Sequence, residues 1–256
     1  MDNLFEKVKI RKIVLIYICA VILTFVIVQI PFAKNTYLMD KCFGEVILNV
    51  LILTWFYIIF TKEHVPVKSR IINSIKKVDY KKIVQLYFIN LGIFIGTGLC
   101  IFIGDRPLIN VPSGMFIIFG ITLAPIVEEL IFRGVIMSRL KIRFGIIPAI
   151  FVSAIIFGIV HFDINILGRL FFGVLSAILY IKTNNIINCI ILHILNNASV
   201  FIFPAISQYT NFSINTDSEF ITGILLLIIF GCFVSSIVFN IIYIKNNLPR
   251  KNCAVS

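Results

Sequence analysis

Three short polar clusters interrupt long apolar runs in this chain, and each holds residue types able to do hydrolytic chemistry. The first reads Ala124-Pro125-Ile126-Val127-Glu128-Glu129-Leu130-Ile131-Phe132-Arg133. On a helix Glu129 and Arg133 stand at i and i+4, so they share a face and can pair. Glu128 points roughly a sixth to a third of a turn away and has no partner on its own helix. In low dielectric an unpaired carboxylate is a competent proton acceptor near neutral pH. The second cluster, Phe157-Gly158-Ile159-Val160-His161, puts Phe157 and His161 on one face. The third, His193-Ile194-Leu195-Asn196-Asn197, does the same for His193 and Asn197. A histidine and an amide projecting together suit a developing oxyanion. Each cluster also has a bland reading: an ion cluster facing a polar cavity for the first, hydrogen bonds between helices for the others.

Chemistry requires the clusters to meet. Glu128 and His161 are 33 residues apart, with a turn near 143–145, so two arms of about 15 residues return them to one height. His193 stands only about eight residues from its own turn, or roughly 12 Å at 1.5 Å per residue. The levels agree only if the turn around Arg139–Arg143 projects further from the membrane than the other. The basic residues there suit such a position.

The positioning elements are membrane helices. Of the 256 residues 59% are hydrophobic and 14% are charged, against roughly 25% charged in a soluble domain; the mean hydropathy is +1.03. A spanning helix needs roughly 20 apolar residues. Eight runs qualify: 13–32, 43–61, 83–104, 113–140, 144–162, 167–181, 186–203 and 220–244. The predicted fold is an all-α, polytopic membrane bundle of about eight transmembrane helices. Ionisable residues inside such helices are costly and are functional candidates by default.

The net charge of +11 does not point to nucleic acid, because the basic residues sit in clusters between apolar runs. With the N-terminus inside, the cytoplasmic segments hold Lys7, Lys9, Arg11 and Lys12, then Lys62, Lys68, Arg70, Lys76, Lys77, Lys81 and Lys82. They also hold Arg139, Lys141, Arg143, Lys182, Lys245, Arg250 and Lys251. The outer loops hold Lys34, Lys41, Arg106 and Arg169. That bias predicts both termini on the cytoplasmic side. The first run follows basic residues without a small-residue cleavage site and reads as an uncleaved signal anchor. The basic segment 62–82 reads as an amphipathic helix on the inner surface, and 204–219, without Lys or Arg, as an outer loop. The six cysteines, Cys19, Cys42, Cys100, Cys189, Cys232 and Cys253, form no C-x-x-C pair and suggest neither a disulfide framework nor a metal site. The ending Cys253-Ala254-Val255-Ser256 fits the C-a-a-X prenylation pattern, with coincidence as the competing reading.

Glu-Glu-x-x-x-Arg, Phe-x-x-x-His and His-x-x-x-Asn, in this order on separate apolar helices, resemble the CAAX prenyl protease and bacteriocin-processing (Abi) family. The resemblance covers about 112–207, so 1–111 reads as three N-terminal transmembrane helices, 112–207 as the catalytic core, and 208–256 as a last helix and tail. It implies an endopeptidase active within the membrane. By that likeness Glu128 and His161 activate a water, His193 and Asn197 stabilise the oxyanion, and Glu129, Arg133 and Phe157 are supporting residues. Metal stays open: Glu128, His161 and His193 are a plausible Zn²⁺ set, but there is no H-E-x-x-H helix. If Glu128 were a ligand, Glu129 would have to be the base, yet Arg133 engages it. Metal-free water activation is the favoured reading.

The expected partners are the bilayer and a peptide or membrane-protein substrate: a prenylated tail, a bacteriocin leader or a signalling peptide. The Ile, Asn and Lys content suggests an AT-rich genome and a bacterial plasma membrane. Two other functions compete: a non-enzymatic bacteriocin-immunity or chaperone-like membrane protein, and a small proton-coupled transporter. The polar residues of helices four to seven have no counterparts in helices one to three, which disfavours an inverted-repeat transporter.

Overall fold

A computed structural model describes residues 5–29, 42–102, 114–161, 165–210 and 219–249. Among these residues the regular structure is helical throughout: α1 (Ile10–Val28), α2 (Cys42–Lys62), α3 (Val67–Lys76), α4 (Tyr80–Phe102) and α5 (Gly114–Glu129). A π-helical segment, Leu130–Met137, continues α5, followed by α6 (Ser138–Phe144), α7 (Ile146–Val160), α8 (Ile166–Thr183), α9 (Ile186–Thr210) and α10 (Glu219–Asn247). Such Ile- and Val-rich runs are indifferent helix formers in water. In hydrocarbon the backbone must bond to itself, and the helix is the form that does so within one segment.

Among the described residues, helix overlaps each of the eight expected apolar runs, which does not by itself make each of them a span. By length and composition, four described segments suffice to cross a membrane: Ile10–Val28, Phe43–Lys62, Ile166–Thr183 and Leu226–Asn247. Ile146–Val160 and Ile186–Ser199 are shorter apolar helices. Two expectations change in detail. The long run 113–140 is not one α-helix but α5, the π segment and α6 in series. The expected outer loop 204–219 begins as helix, since α9 runs on to Thr210. The Cys253–Ser256 ending lies outside the described residues.

The turns have legible causes. Gly145, at φ +83, separates α6 from α7 with open space where a Cβ would stand; its N–H closes α6 on Lys141 O at 3.0 Å. Asn184, left-handed at φ +47, ends α8 by donating its N–H to Tyr180 O at 2.8 Å. Asn185 then starts α9 by accepting the Ile187 N–H at 3.1 Å. Asp79 caps α4 through the Lys82 N–H, and its side-chain hydrogen bond to Lys82 holds the carboxyl below its ordinary range.

Helix α8 is the axis of the bundle. Residues 172–180 are buried without interruption, the pattern of a helix covered on all sides. It packs on α7, α9, α4 and the π segment. A Cβ on Gly173 would stand 2.8 Å from the Ala154 Cβ, so α7 and α8 meet nearly backbone to backbone. α1 turns large apolar side chains outward instead, with Phe25 66% exposed, as a lipid-facing helix does. Before α1, Phe5 and Val8 are buried. The Phe5 ring fills the space beside Gly134 of the π segment, and Val8 O accepts from Arg139 Nε at 2.8 Å.

Candidate functional site

The three polar clusters of the sequence meet where the π segment faces α7, α8 and α9. Glu129, at the end of α5, is fully buried, with three neighbours around its carboxylate. Arg133 Nη1 lies 3.0 Å from Oε1. His193 Nδ1 is 2.9 Å from the same oxygen. Ser176 donates its hydroxyl to Oε2 at 3.0 Å. The sequence pairs Glu129 with Arg133 alone; the fold adds a histidine from α9 and a serine from α8. A buried charge persists only when its partners replace water, and here they come from three elements.

Arg133 is held in place by aromatic rings. Its guanidinium lies 4.6 Å from the Phe157 ring centroid and 5.5 Å from that of Phe172, a cation–π arrangement, and Nη2 donates to Gly173 O at 3.4 Å. Phe157 in turn contacts His161 at 4.6 Å, and Phe172 contacts His193 at 4.6 Å. The Phe157 ring therefore touches both Arg133 and His161. The π segment supplies the local geometry. Ser138 Oγ bonds back five residues to Arg133 O at 3.4 Å, and π segments of this kind often mark functional sites.

Glu128 sits at the edge of this group, its side chain 24% exposed. Its Oε2 is 3.4 Å from His161 Nε2 and 3.6 Å from His193 Nε2, and it makes no hydrogen bond. Far from standing alone, it is faced by both histidines. His161 Nδ1 lies 2.7 Å from Phe157 O. A carbonyl only accepts, so Nδ1 carries the proton and Nε2 of the neutral ring is an acceptor. By the same logic Glu129 draws the His193 proton to Nδ1. Two acceptors, a carboxylate oxygen and an imidazole nitrogen, thus face each other at 3.4 Å. That is longer than a good direct hydrogen bond, and one donor standing to the side of the pair can reach both.

Asn197 is placed differently. It does shares α9 with His193, but its amide nitrogen donates to Gly120 O of α5 at 3.0 Å. Pro125 lacks the N–H that would bond back to Ile121 O, which loosens this turn of α5. One Asn197 N–H tethers α9 there, and the other is left for further bonding. On the opposite side of α9, Asn196 accepts from Asn90 Nδ2 at 3.5 Å, and Ser199 meets the Tyr87 hydroxyl at 2.6 Å. Those bonds tie α9 to α4. His193 reaches Glu128 although it stands nearer to its own turn in the sequence than His161 does. The segment before α1 packs on α6 through Arg139 and a 3.2 Å Lys141–Glu6 pair.

The family comparison coincides with this region. Residues 110–199 match the Rce1-like family. Its model is described as Type II CAAX prenyl endopeptidase Rce1-like. No curated protein and no solved structure compared with the chain matches it. The matched stretch contains every candidate site residue, from Glu128 to Asn197. This bears out the resemblance to the CAAX-protease family and its association with proteolysis. Within the Rce1-like region, sequence reasoning passed over Ser176 and Phe172. The available signals were a hydroxyl in an apolar run and an aromatic four residues before it. Among the described residues, no group of three His, Cys, Asp or Glu side chains is disposed to hold a metal ion.

Proposed function

We propose that this chain is an intramembrane endopeptidase that hydrolyses a peptide bond of a peptide or membrane-associated protein with a water held by Glu128 and His161. The observation that carries the reading is the pair of facing acceptors, Glu128 Oε2 and His161 Nε2, at 3.4 Å. A water donating one O–H to each leaves a lone pair on its oxygen for attack on the carbonyl carbon. As the new C–O bond forms, Glu128 takes the water proton and the carbonyl oxygen becomes an oxyanion. His193 and Asn197 stand on α9 as its donors. With both carboxylates ionised and Arg133 charged, neutral histidines leave the group at −1. A His193 imidazolium bonded to Glu129 through Nδ1 brings it to zero and turns Nε2–H into an oxyanion donor. Collapse of the tetrahedral adduct breaks the C–N bond, and the proton held by Glu128 passes to the leaving amine.

A zinc-dependent variant would use Glu128, His161 and His193 as ligands, and metal analysis separates the two. The basic bias supports cytoplasmic termini, in what we take to be a bacterial plasma membrane. The direct test is cleavage by the purified protein in detergent of three peptide classes: prenylated tails, bacteriocin leaders and signalling peptides. Wild type is expected to cut at least one of them, and Glu128→Gln none. Equal cleavage by Glu128→Gln would refute the assignment. No cleavage of any class by wild type would favour the non-enzymatic immunity or chaperone-like function.

A further inference from the structure

Helix α3 (Val67–Lys76) has ten residues, about 15 Å at 1.5 Å per residue, half the length a bilayer crossing needs. None of its residues is buried. Val67, Arg70 and Ser74 are half-buried and form the edge that meets the protein. Ile71, Ile72 and Ile75 are 42%, 43% and 51% exposed. At 100° per residue these three fall within an arc of about 100°, turned away from that edge. Lys68 lies inside the same arc, Lys76 borders it, and Lys77 follows; all three are exposed. α3 itself contains no Asp or Glu.

The helix is not a loosely tethered connector. Asn185, in the turn between α8 and α9, donates its amide to Ser74 O at 2.8 Å and to Lys77 O at 3.3 Å. Those carbonyls belong to the last turn of α3, where intrahelical partners run out. Asn188 Oδ1 accepts the Asp79 N–H at 3.1 Å. The protein therefore clamps the end of α3 and aims the isoleucine face in a fixed direction. An apolar face held outward beside lysines, on a helix too short to span, has the chemistry of an element lying in a charged lipid surface.

We propose that α3 docks on the anionic leaflet of the membrane, with Ile71, Ile72 and Ile75 in the headgroup–acyl boundary and Lys68, Lys76 and Lys77 on anionic headgroups. The docking is independent of the proposed catalysis, and its test uses no activity. The full chain is placed in nanodiscs of phosphatidylcholine alone, or with phosphatidylglycerol added, and amide exchange over residues 67–76 is followed. Each lysine at an anionic surface contributes about a fivefold preference, so the anionic lipid should slow exchange by about five- to a hundredfold. High salt should reverse the slowing in wild type, because it screens the surface. Lys68→Gln/Lys76→Gln/Lys77→Gln should abolish it while leaving the melting temperature of the bundle in place. In a Trp55→Phe background, Ile72→Trp should be quenched by lipids brominated near the headgroup end of the chain. Equal exchange in both lipids, a slowing that salt leaves intact, or an unquenched Trp at position 72 would overturn the proposal. So would the same slowing in neutral nanodiscs with soluble glycerol phosphate, which would assign the lysines to a free anion.

Discussion

Removal of the Glu129 carboxylate tests whether the buried charge cluster works as the contacts imply. Glu129→Ala leaves Arg133, 1% exposed, without its 3.0 Å partner, and takes away the acceptors for His193 and Ser176. Breaking a buried ion pair by deleting one member costs about 3–5 kcal/mol. For a chain of this size each kcal/mol corresponds to about 2–4 °C in Tm, so a drop of about 6–20 °C is expected in detergent, followed by fluorescence-detected unfolding. Glu128→Gln is the internal control. Its buried Oε2 makes no hydrogen bond, and glutamine keeps the shape of the side chain, so the Tm should stay within about 2 °C of wild type. The decisive variant is the double substitution Glu129→Leu/Arg133→Met, which removes both charges and restores apolar bulk. Replacing a buried pair by apolar residues is often neutral, so Tm should recover most of the loss although activity does not. An unshifted Tm in Glu129→Ala, or a double variant no better than the single, would refute the argument that Glu129 stabilises the fold by neutralising Arg133.

Three further outcomes are expected. Asn197→Ala should lower kcat by about 10²–10³-fold, the usual loss for an oxyanion donor, with KM little changed; a loss confined to Tm would mean that the Gly120 tether is its whole role. Metal analysis of wild type, His161→Ala and His193→Ala should find no stoichiometric zinc, and wild type should cleave in the presence of a chelator; zinc that disappears in both variants would establish the metal-dependent reading. Reporter fusions after Lys82 and Lys245 should read cytoplasmic and one near Asn211 external, and an external signal after Lys82 would reverse the orientation.

Much of this protein was legible because membrane segments obey two strong rules. Apolar runs of about 20 residues must satisfy their own backbone, so the places of the long apolar helices follow from hydropathy, though not their ends or their breaks. Polar residues in such runs are costly, so Glu128, Glu129, Arg133, His161, His193 and Asn197 stood out without any geometry. Pairs at i and i+4 are also local facts, and the Glu129–Arg133 contact forms as the spacing dictates. The basic segment 62–82 was visible in the same way as a surface amphipathic helix, though not the bounds of α3 within it.

What crosses between helices was not legible. Nothing in the order of residues says that Ser176 of α8 reaches Glu129, or that Arg133 rests on the rings of Phe157 and Phe172. The register of α5 was open too, because its continuation as a π segment depends on what packs around it rather than on local preference alone. The sharpest case is the difference between the two glutamates. Sequence alone distinguishes them by one intrahelical partner. The fold makes Glu129 the buried centre of a charge cluster and leaves Glu128 Oε2 facing two histidine nitrogens at 3.4 and 3.6 Å. Helix positions depend on the free energy of moving a segment into lipid, which sums over its own residues. The facing of Glu128 and His161 depends on the relative height and rotation of α5, α7 and α9, set jointly by side chains on every helix that packs against them.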